Sequence, residues 1–138
     1  QTAERIKIAL ASLTGPFPVD EDGAPVVTEA MGRDLVTGLP RQILLHPEEI
    51  REVLLNCFDP IKSILLATLE ETPPELAGDL VDSGILLTGG CSQIPGIKEY
   101  FIDIAQIPVY LSEVPLSAVI DGCKKMLKMT NRHFYSEL

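Results

Sequence analysis

Apolar and polar positions in the first third of the chain predict one helix followed by a small sheet. Apolar residues recur every three or four positions within residues 3–13, with charged residues between them, which is typical of an amphipathic helix. Residues 14–46 are rich in Pro and Gly and contain two short candidate strands, at 26–30 and 42–45. We therefore expect a partly exposed sheet to follow the first helix.

Three motifs with proline indicate further helix starts. The HPEE motif at residues 46–49 places Pro in a first turn and two acids where they complement the helix dipole. A proline inside a helix costs about 3 kcal/mol, so we interpret Asp59 and Pro60 as the N-cap and first residue of a separate helix. The TPPE motif at residues 72–75 predicts another start, with its Thr and Glu forming a capping box.

The second half of the chain alternates helical patterns with short apolar runs. Gly84 stands where the helix after the TPPE motif should be C-capped, and the apolar run at 85–87 follows it. A helix at about 96–105, a second apolar run at 109–111 and a last helix at about 117–129 complete the order. This alternation is typical of a parallel sheet buried on both faces, and thus of an α/β fold.

Composition narrows the classes of function. The chain has 138 residues, which is about one domain, and 46% of them are hydrophobic. Its 11 basic and 20 acidic residues give a net charge of −9, which argues against nonspecific binding to nucleic acid or to anionic membranes. The three cysteines are widely spaced, which argues against a zinc site or a disulfide framework. The first residues, QTAERIK, resemble the middle of a protein, so we expect a fragment.

Gly89 and Gly90 form the clearest candidate ligand site. They follow the apolar run ILL, and in open α/β sheets ligands bind beyond the carboxyl ends of strands. Two residues without Cβ let a ligand touch the backbone, and a helix start directly after them would offer free N–H groups. The alternative is a tight connection from strand to helix with no ligand, and the residues alone leave both open.

Glu4 and Lys7 are a second candidate pair. They lie three positions apart and so share one face of the first helix. Such a pair can bind a ribose or the edge of an adenine, but it can equally be a surface ion pair. The sequence shows no catalytic set, because Cys91 and Ser92 have no recognisable base and His46 has no nucleophile nearby.

Several segments of the chain resemble the MreB family, the bacterial homologues of actin. The segments, in family order and with similar gaps, are TAERIK, GRDLVTGLPR, LEETPPELAGDLVDSGILLTGG and PLSAVIDG. The resemblance covers nearly all of the chain up to about Gly122. The Gly pair followed by Pro-Gly is shared more widely, with heat-shock chaperones and sugar kinases of the same superfamily.

This resemblance implies the fold and its division. The fold is an α/β, actin-like ATPase fold of which this chain forms the second lobe, with a three-layer α/β subdomain and a small α+β outer subdomain. Residues 1–58 are the implied outer subdomain and residues 59–115 the larger, nucleotide-proximal one. Residues 116–138 are the implied helix returning to the first lobe, with a tail.

The resemblance also implies a function. MreB-like proteins bind ATP with Mg²⁺ between two lobes and polymerise into paired filaments beneath the membrane, where they guide rod-shape wall synthesis. The first helix is implied to contact the nucleoside, and the glycine loop to lie against adenosine and phosphates. Cys91 departs from the family, which usually has a third glycine or a small hydroxyl residue there. The implied cofactor-binding residues are Glu4, Lys7, Gly89, Gly90, Cys91 and Ser92, with no catalytic residue and no metal ligand.

The resemblance further implies that the full-length protein is a slow ATPase. We do not expect this chain alone to be catalytic, since the phosphate-binding hairpins belong to other parts of the family fold. The implied partners are further copies of the protein, the first lobe and membrane-associated shape-determining proteins, with no nucleic acid. The implied location is the cytoplasm, with membrane association through other parts or partners.

Two alternatives remain open from the sequence. One is a specialised bacterial actin of the magnetosome, plasmid or division type. The other is a non-catalytic adaptor module that keeps half of an actin fold for protein contacts. For the leading hypothesis, we expect filament contacts where residues 14–46 meet the larger subdomain of the next subunit.

Overall fold

The computed structural model describes the backbone of residues 2–135 and the side chains of residues 2–129. Within these residues the chain forms five α-helices, four short strands and one 3₁₀ turn. In chain order, the elements are α1 (Thr2–Leu10), β1 (Thr28–Arg33), β2 (Pro40–Leu45), α2 (Pro47–Glu70), α3 (Pro74–Ser83), β3 (Ile85–Leu87), the 3₁₀ turn (Gly90–Gln93), α4 (Ile97–Ala105), β4 (Val109–Leu111) and α5 (Ala118–Tyr135).

The first helix, α1, is present as predicted but ends earlier, at Leu10. The N–H of Ala11 still donates to the carbonyl of Lys7, at 2.9 Å, and then the chain turns. The N–H of Leu13 donates to the carbonyl of Pro95, at 2.9 Å, instead of to α1. Leu13 is nevertheless buried, so the apolar pattern identified a core position that lies beyond the helix.

β1 and β2 form an antiparallel hairpin, so the predicted exposed sheet is confirmed, with bounds shifted by a few residues. Asp34 organises the turn, because its carboxylate accepts hydrogen bonds from the N–H groups of Val36 and Thr37, each at 2.9 Å. Arg41 on β2 forms an ion pair with the same carboxylate, at 3.0 Å. Leu35 and Val36 are 100% and 95% exposed, so the hairpin tip holds apolar side chains in solvent.

The second helix, α2, runs without interruption through Pro60, so our interpretation of Asp59 and Pro60 as the start of a separate helix is wrong. Pro60 has no N–H for the carbonyl one turn earlier, which costs a helix about 3 kcal/mol. Phe58 is buried, and Leu54 and Leu65, on either side of the proline, pack against the same core. Each large buried side chain contributes about 1.5–3 kcal/mol, which offsets the cost. A subdomain boundary near residue 59 stays a prediction.

The third helix, α3, begins without the predicted capping box. Its N-cap is Pro73, whose carbonyl accepts hydrogen bonds from two N–H groups of the first turn, at 2.9 and 3.0 Å. The Thr72 hydroxyl donates instead to the carbonyl of Thr68 in α2, at 2.8 Å, and is therefore not free to cap α3. At the other end, Gly84 is the C-cap, as predicted.

The apolar runs form a parallel pair, β3 and β4, in register from Ile85 opposite Val109. Val109 is buried, and Ile85 and Leu87 pack against the core. The other face of the pair is open, because Leu86 is 64% and Tyr110 is 49% exposed. The described residues thus cover one face of this sheet, whereas the sequence predicted burial of both.

The core lies where α2 meets α4 and the parallel strands. Phe58 of α2 packs edge-on against Tyr100 and Phe101 of α4, with ring centroids 5.9 and 6.1 Å apart. Leu13 and Ile94 enter the same core from the segment after α1 and the loop before α4. This packing places the end of α1 beside that loop.

The last helix, α5, is longer than predicted and extends to Tyr135. Several of its apolar side chains are exposed, among them Val119 and Ile120. The predicted tail lies partly outside the described residues, since they end at residue 135.

Candidate functional site

A cavity of about 300 Å³ lies between α1 and the glycine loop, residues 88–96, which connects β3 to α4. Its volume is at the lower end of the range of small-molecule sites. It brings Glu4 and Lys7, from the first helix, together with Gly90, from the second half of the chain. The lining residues are Glu4, Lys7, Ile8, Ala11, Gly90, Gln93, Ile94, Pro95 and Leu116.

Glu4 and Lys7 form an ion pair on the wall of this cavity. The Lys7 Nζ and a Glu4 carboxylate oxygen are 2.8 Å apart, and the two side chains are 29% and 61% exposed respectively. The hydrogen bond to Glu4 raises the pKa of the Lys7 ammonium above its ordinary value, because it stabilises the charged form. The pair is thus a surface ion pair and also offers one cationic and one anionic group to whatever occupies the cavity.

Gly89 is required by its backbone conformation. Its φ of +87° and ψ of 171° lie in a region that is essentially restricted to glycine. Its N–H donates to the carbonyl of Pro115, at 2.8 Å, which ties the loop to the segment before α5. Gly89 does not line the cavity, so its part is to shape the turn.

Gly90 has no such conformational requirement. Its φ is not positive, and an added Cβ would meet only the Leu116 Cδ2, at an ordinary distance of 3.6 Å. Gly90 lines the cavity, so any larger side chain there would take up its space. The two positions therefore favour glycine for different physical reasons. Gly89 permits the backbone of the turn, and Gly90 leaves the cavity wall without a side chain.

Cys91 and Ser92 are not among the residues that line the cavity. The Ser92 side chain is buried, and its hydroxyl donates to the carbonyl of Gly89, at 2.7 Å. It therefore supports the turn. Cys91 is exposed, and it lies close enough to Lys7 to contribute to the raised pKa of that ammonium.

The helix predicted at about 96–105 is confirmed as α4, but it does not start directly after the glycine pair. Gly90 opens a four-residue 3₁₀ turn, and α4 begins only at Ile97. Within the turn, the N–H of Ser92 donates to the carbonyl of Gly89, at 3.2 Å, and the N–H of Ile94 to that of Cys91, at 3.1 Å. The expected α-helical N-terminus directly behind the glycine pair is therefore absent from this loop.

Several lining residues were missed by the sequence analysis. Ile8 and Ala11 lie one helical turn after Glu4 and Lys7, so helical spacing could have identified them. Gln93 and Leu116 could not be found this way, because only the folded loop brings them to the cavity. Gln93 adds an amide that can both donate and accept hydrogen bonds.

Thr14 and Gly96 join the chain after α1 to the loop before α4. The Thr14 hydroxyl donates to the carbonyl of Gly96, at 2.9 Å. Gly96 has a φ of +79°, and an added Cβ would overlap the backbone of Thr14. The Pro-Gly pair in the loop therefore serves close packing between this loop and the chain after α1.

The described part of the chain shows neither a metal cluster nor a membrane-spanning helix. The described side chains, those of residues 2–129, include no group of three or more from His, Cys, Asp or Glu arranged to hold a metal ion. None of the helices in those residues combines the length and apolar character needed to cross a membrane.

Comparisons with known proteins identify the family. A family described as MreB/Mbl protein matches residues 1–134. The cell shape-determining protein MreB of Escherichia coli K12 is 37% identical over 132 residues, which are 96% of this chain and 36% of that protein. The cell shape-determining protein Mbl of Bacillus subtilis 168 is 35% identical over 127 residues, which are 92% of this chain and 36% of that protein.

A solved structure gives the fold. The crystal structure of MreB5 of Spiroplasma citri bound to AMPPNP matches with a TM-score of 0.87 and 38% identity, over 99% of this chain and 39% of that one. This likeness confirms the predicted α/β, actin-like ATPase fold. The chain spans little more than a third of the length of these relatives. The family match over nearly all of its residues, and relatives more than a third identical, show that this chain belongs to the MreB/Mbl family.

Proposed function

We propose that this chain is the nucleoside-contacting part of an MreB-like, ATP-dependent cytoskeletal filament protein that acts in rod cell shape. The observation that carries the proposal is the cavity between α1 and the glycine loop, which joins Glu4, Lys7 and Gly90 on one surface. The family relationship and the AMPPNP-bound relative support this assignment.

The chemistry of the cavity suits a nucleoside. Its apolar lining, from Ile8, Ile94 and Pro95 among others, can cover the faces of a flat base. The Glu4 carboxylate can accept hydrogen bonds from ribose hydroxyls, and the Lys7 ammonium can donate to them or to a ring nitrogen. Gly90 lets the ligand approach the main chain.

Binding of the ATP phosphates and of Mg²⁺ requires residues beyond this site. Bound ATP supplies the phosphoanhydride bond whose hydrolysis is catalysed mainly by positioning and by charge stabilisation around Mg²⁺. The described residues offer one cation, Lys7, at the cavity and no group of side chains arranged for a metal. We therefore propose that this chain binds and orients the nucleoside, and that other parts of the full-length protein hold Mg²⁺ and the phosphates.

The exposed hairpin is the proposed filament contact. Its tip and strands carry apolar side chains in solvent, including Met31, Leu35, Val36 and Leu39 at 79%, 100%, 95% and 64% exposure. We propose that this surface meets the larger subdomain of the next subunit. We also propose, from the family relationship, that the protein acts in the cytoplasm and associates with the membrane through other parts or through shape-determining partners.

Substitution of the cavity wall in the full-length protein tests the nucleoside site. Gly90→Leu fills the cavity, and Lys7→Ala removes a charged hydrogen-bonding group worth about 1.5–3 kcal/mol, so each should raise the Kd for ATP about tenfold or more. The matched controls are Gly78→Leu, at an α3 glycine with open space around it, and Arg5→Ala, on α1 but outside this cavity. Unchanged ATP affinity in both cavity variants would overturn the assignment.

A further inference from the structure

Arg51, on α2, makes three hydrogen bonds and one stacking contact with the segment that follows α1. Its Nε donates to the carbonyl of Ser12, at 2.8 Å, and one terminal nitrogen donates to the Ser12 hydroxyl, at 3.0 Å, and to the carbonyl of Gly15, at 2.8 Å. Its guanidinium also stacks over the Phe17 ring, 3.7 Å from the centroid. One side chain thus holds three positions of the segment that follows α1.

Ser12, at the centre of these contacts, is fully buried. Its hydroxyl lies 3.0 Å from the carbonyl oxygen of Thr14 and 3.2 Å from that of Pro16, and its one hydrogen can serve either of them. Buried carbonyl and hydroxyl groups cost free energy when they lose their partners. Arg51 therefore fixes the path of the chain from Ser12 to Phe17.

That same path carries the hydrogen bonds between the two walls of the cavity. The N–H of Leu13 donates to the carbonyl of Pro95, at 2.9 Å, and the Thr14 hydroxyl donates to the carbonyl of Gly96, at 2.9 Å. Ala11 and Pro95 themselves line the cavity. The segment after α1 is thus held by α2 on one side and by the glycine loop on the other.

We propose that Arg51 is a positioning residue for the nucleoside cavity. It touches none of the cavity and acts through Ser12, Leu13 and Thr14, which set the distance between α1 and the loop. The inference rests on the proposed function, because it assigns Arg51 a part in nucleotide affinity as well as in folding.

Arginine is suited to this task in a way that lysine is not. A planar guanidinium can donate in several directions at fixed angles and stack on an aromatic ring, whereas an ammonium is a compact point charge on a flexible stem. Arg51→Lys keeps the charge and most of the stem, so it should lose less than Arg51→Gln but should not reach the wild-type affinity.

The experiment compares ATP binding by variants of the full-length protein, well below the unfolding temperature of each. Arg51→Gln should raise the Kd for ATP about tenfold, which corresponds to about 1.4 kcal/mol. Ser12→Ala should also raise it, and the double variant should lose less affinity than the sum of the two single losses, because the two side chains share a hydrogen bond. Asp34→Asn is the stability control: it weakens the hairpin turn, which lies away from these contacts, and it should lower the unfolding midpoint with unchanged Kd.

The outcomes separate this inference from the proposed function. Wild-type protein that binds no ATP would overturn both. Wild-type protein that binds ATP, with Arg51→Gln and Arg51→Lys binding equally well, would overturn the inference alone. Additive effects of Arg51→Gln and Ser12→Ala would also contradict it.

A measurement on the wild type keeps the inference testable if the Arg51 variants do not fold. Hydrogen exchange at the amide of Leu13, which donates to Pro95, should slow when ATP is added, together with exchange in the glycine loop. Protection of the loop without any change at Leu13 would contradict the coupling.

Discussion

The hydroxyl of Thr14 and the carbonyl of Gly96 form a 2.9 Å hydrogen bond that joins the chain after α1 to the loop before α4. The two residues are 82 positions apart in the sequence, and the segments that carry them form the two walls of the cavity. Their close packing explains why residue 96 is glycine, since an added Cβ would overlap the Thr14 backbone.

Gly96→Ala should therefore destabilise the protein strongly. The left-handed backbone costs a non-glycine residue about 1–3 kcal/mol, and relief of the overlap adds a further cost of about 1–3 kcal/mol. Urea unfolding of the full-length protein measures the loss. Gly78→Ala is the control, because Gly78 lies within α3 with open space around it, and alanine there should be neutral or stabilising. Equal stability of the two variants would contradict the packing described.

The two glycines of the pair should respond differently to alanine. Gly89→Ala should lower the free energy of unfolding by about 1–3 kcal/mol, because residue 89 has a φ of +87°. Gly90→Ala should change it by less than about 0.5 kcal/mol, since residue 90 has ordinary φ and room for a methyl group. Chemical denaturation of each variant checks the contrast, and a larger loss at residue 90 would refute it.

Asp34 should make stability depend on pH at the hairpin turn. Hydrogen bonds from the Thr37 and Val36 N–H groups, and then from Arg41, lower the pKa of its carboxyl below the ordinary 3.8. A lowered pKa means that the charged form stabilises the fold above pH 3.8 and that this contribution disappears as the pH falls through the folded pKa. The stability difference between wild type and Asp34→Asn should be largest near neutral pH and shrink below pH 3.8. Urea midpoints measured across this range would contradict the account if the difference stayed constant.

The hairpin tip should be needed for assembly and dispensable for folding. Leu35→Asp with Val36→Asp places charges on side chains that are 100% and 95% exposed, so the unfolding midpoint should stay close to wild type. Pelleting of filaments with ATP should fall severalfold, because a charge buried in a contact is costly. Val53→Asp, on an exposed position of α2, is the control. Unchanged sedimentation of the double variant would exclude this surface as a filament contact.

Sequence patterns predicted most helices and strands, because the apolar runs and glycine positions that indicate them lie within or directly beside each one. The apolar runs at 85–87 and 109–111 became the parallel pair, and Gly84 became a C-cap. The prediction of a helix start at Pro60 is wrong because packing of Phe58 and its neighbours on the core outweighs the lost hydrogen bond, and no local pattern reports that packing.

The site could be predicted only in part. Glu4, Lys7 and Gly90 lie on one cavity, whereas the hydroxyl of Ser92 is directed to the carbonyl of Gly89. The sequence did not predict a role for Arg51, because its partners lie far away in sequence and no motif marks them.

A structure of the full-length protein with bound ATP tests the central claim most directly. The account predicts the nucleoside between α1 and the glycine loop, with Lys7 or Glu4 within hydrogen-bond distance and the base or ribose against the main chain of Gly90. A nucleoside bound away from that cavity would contradict it.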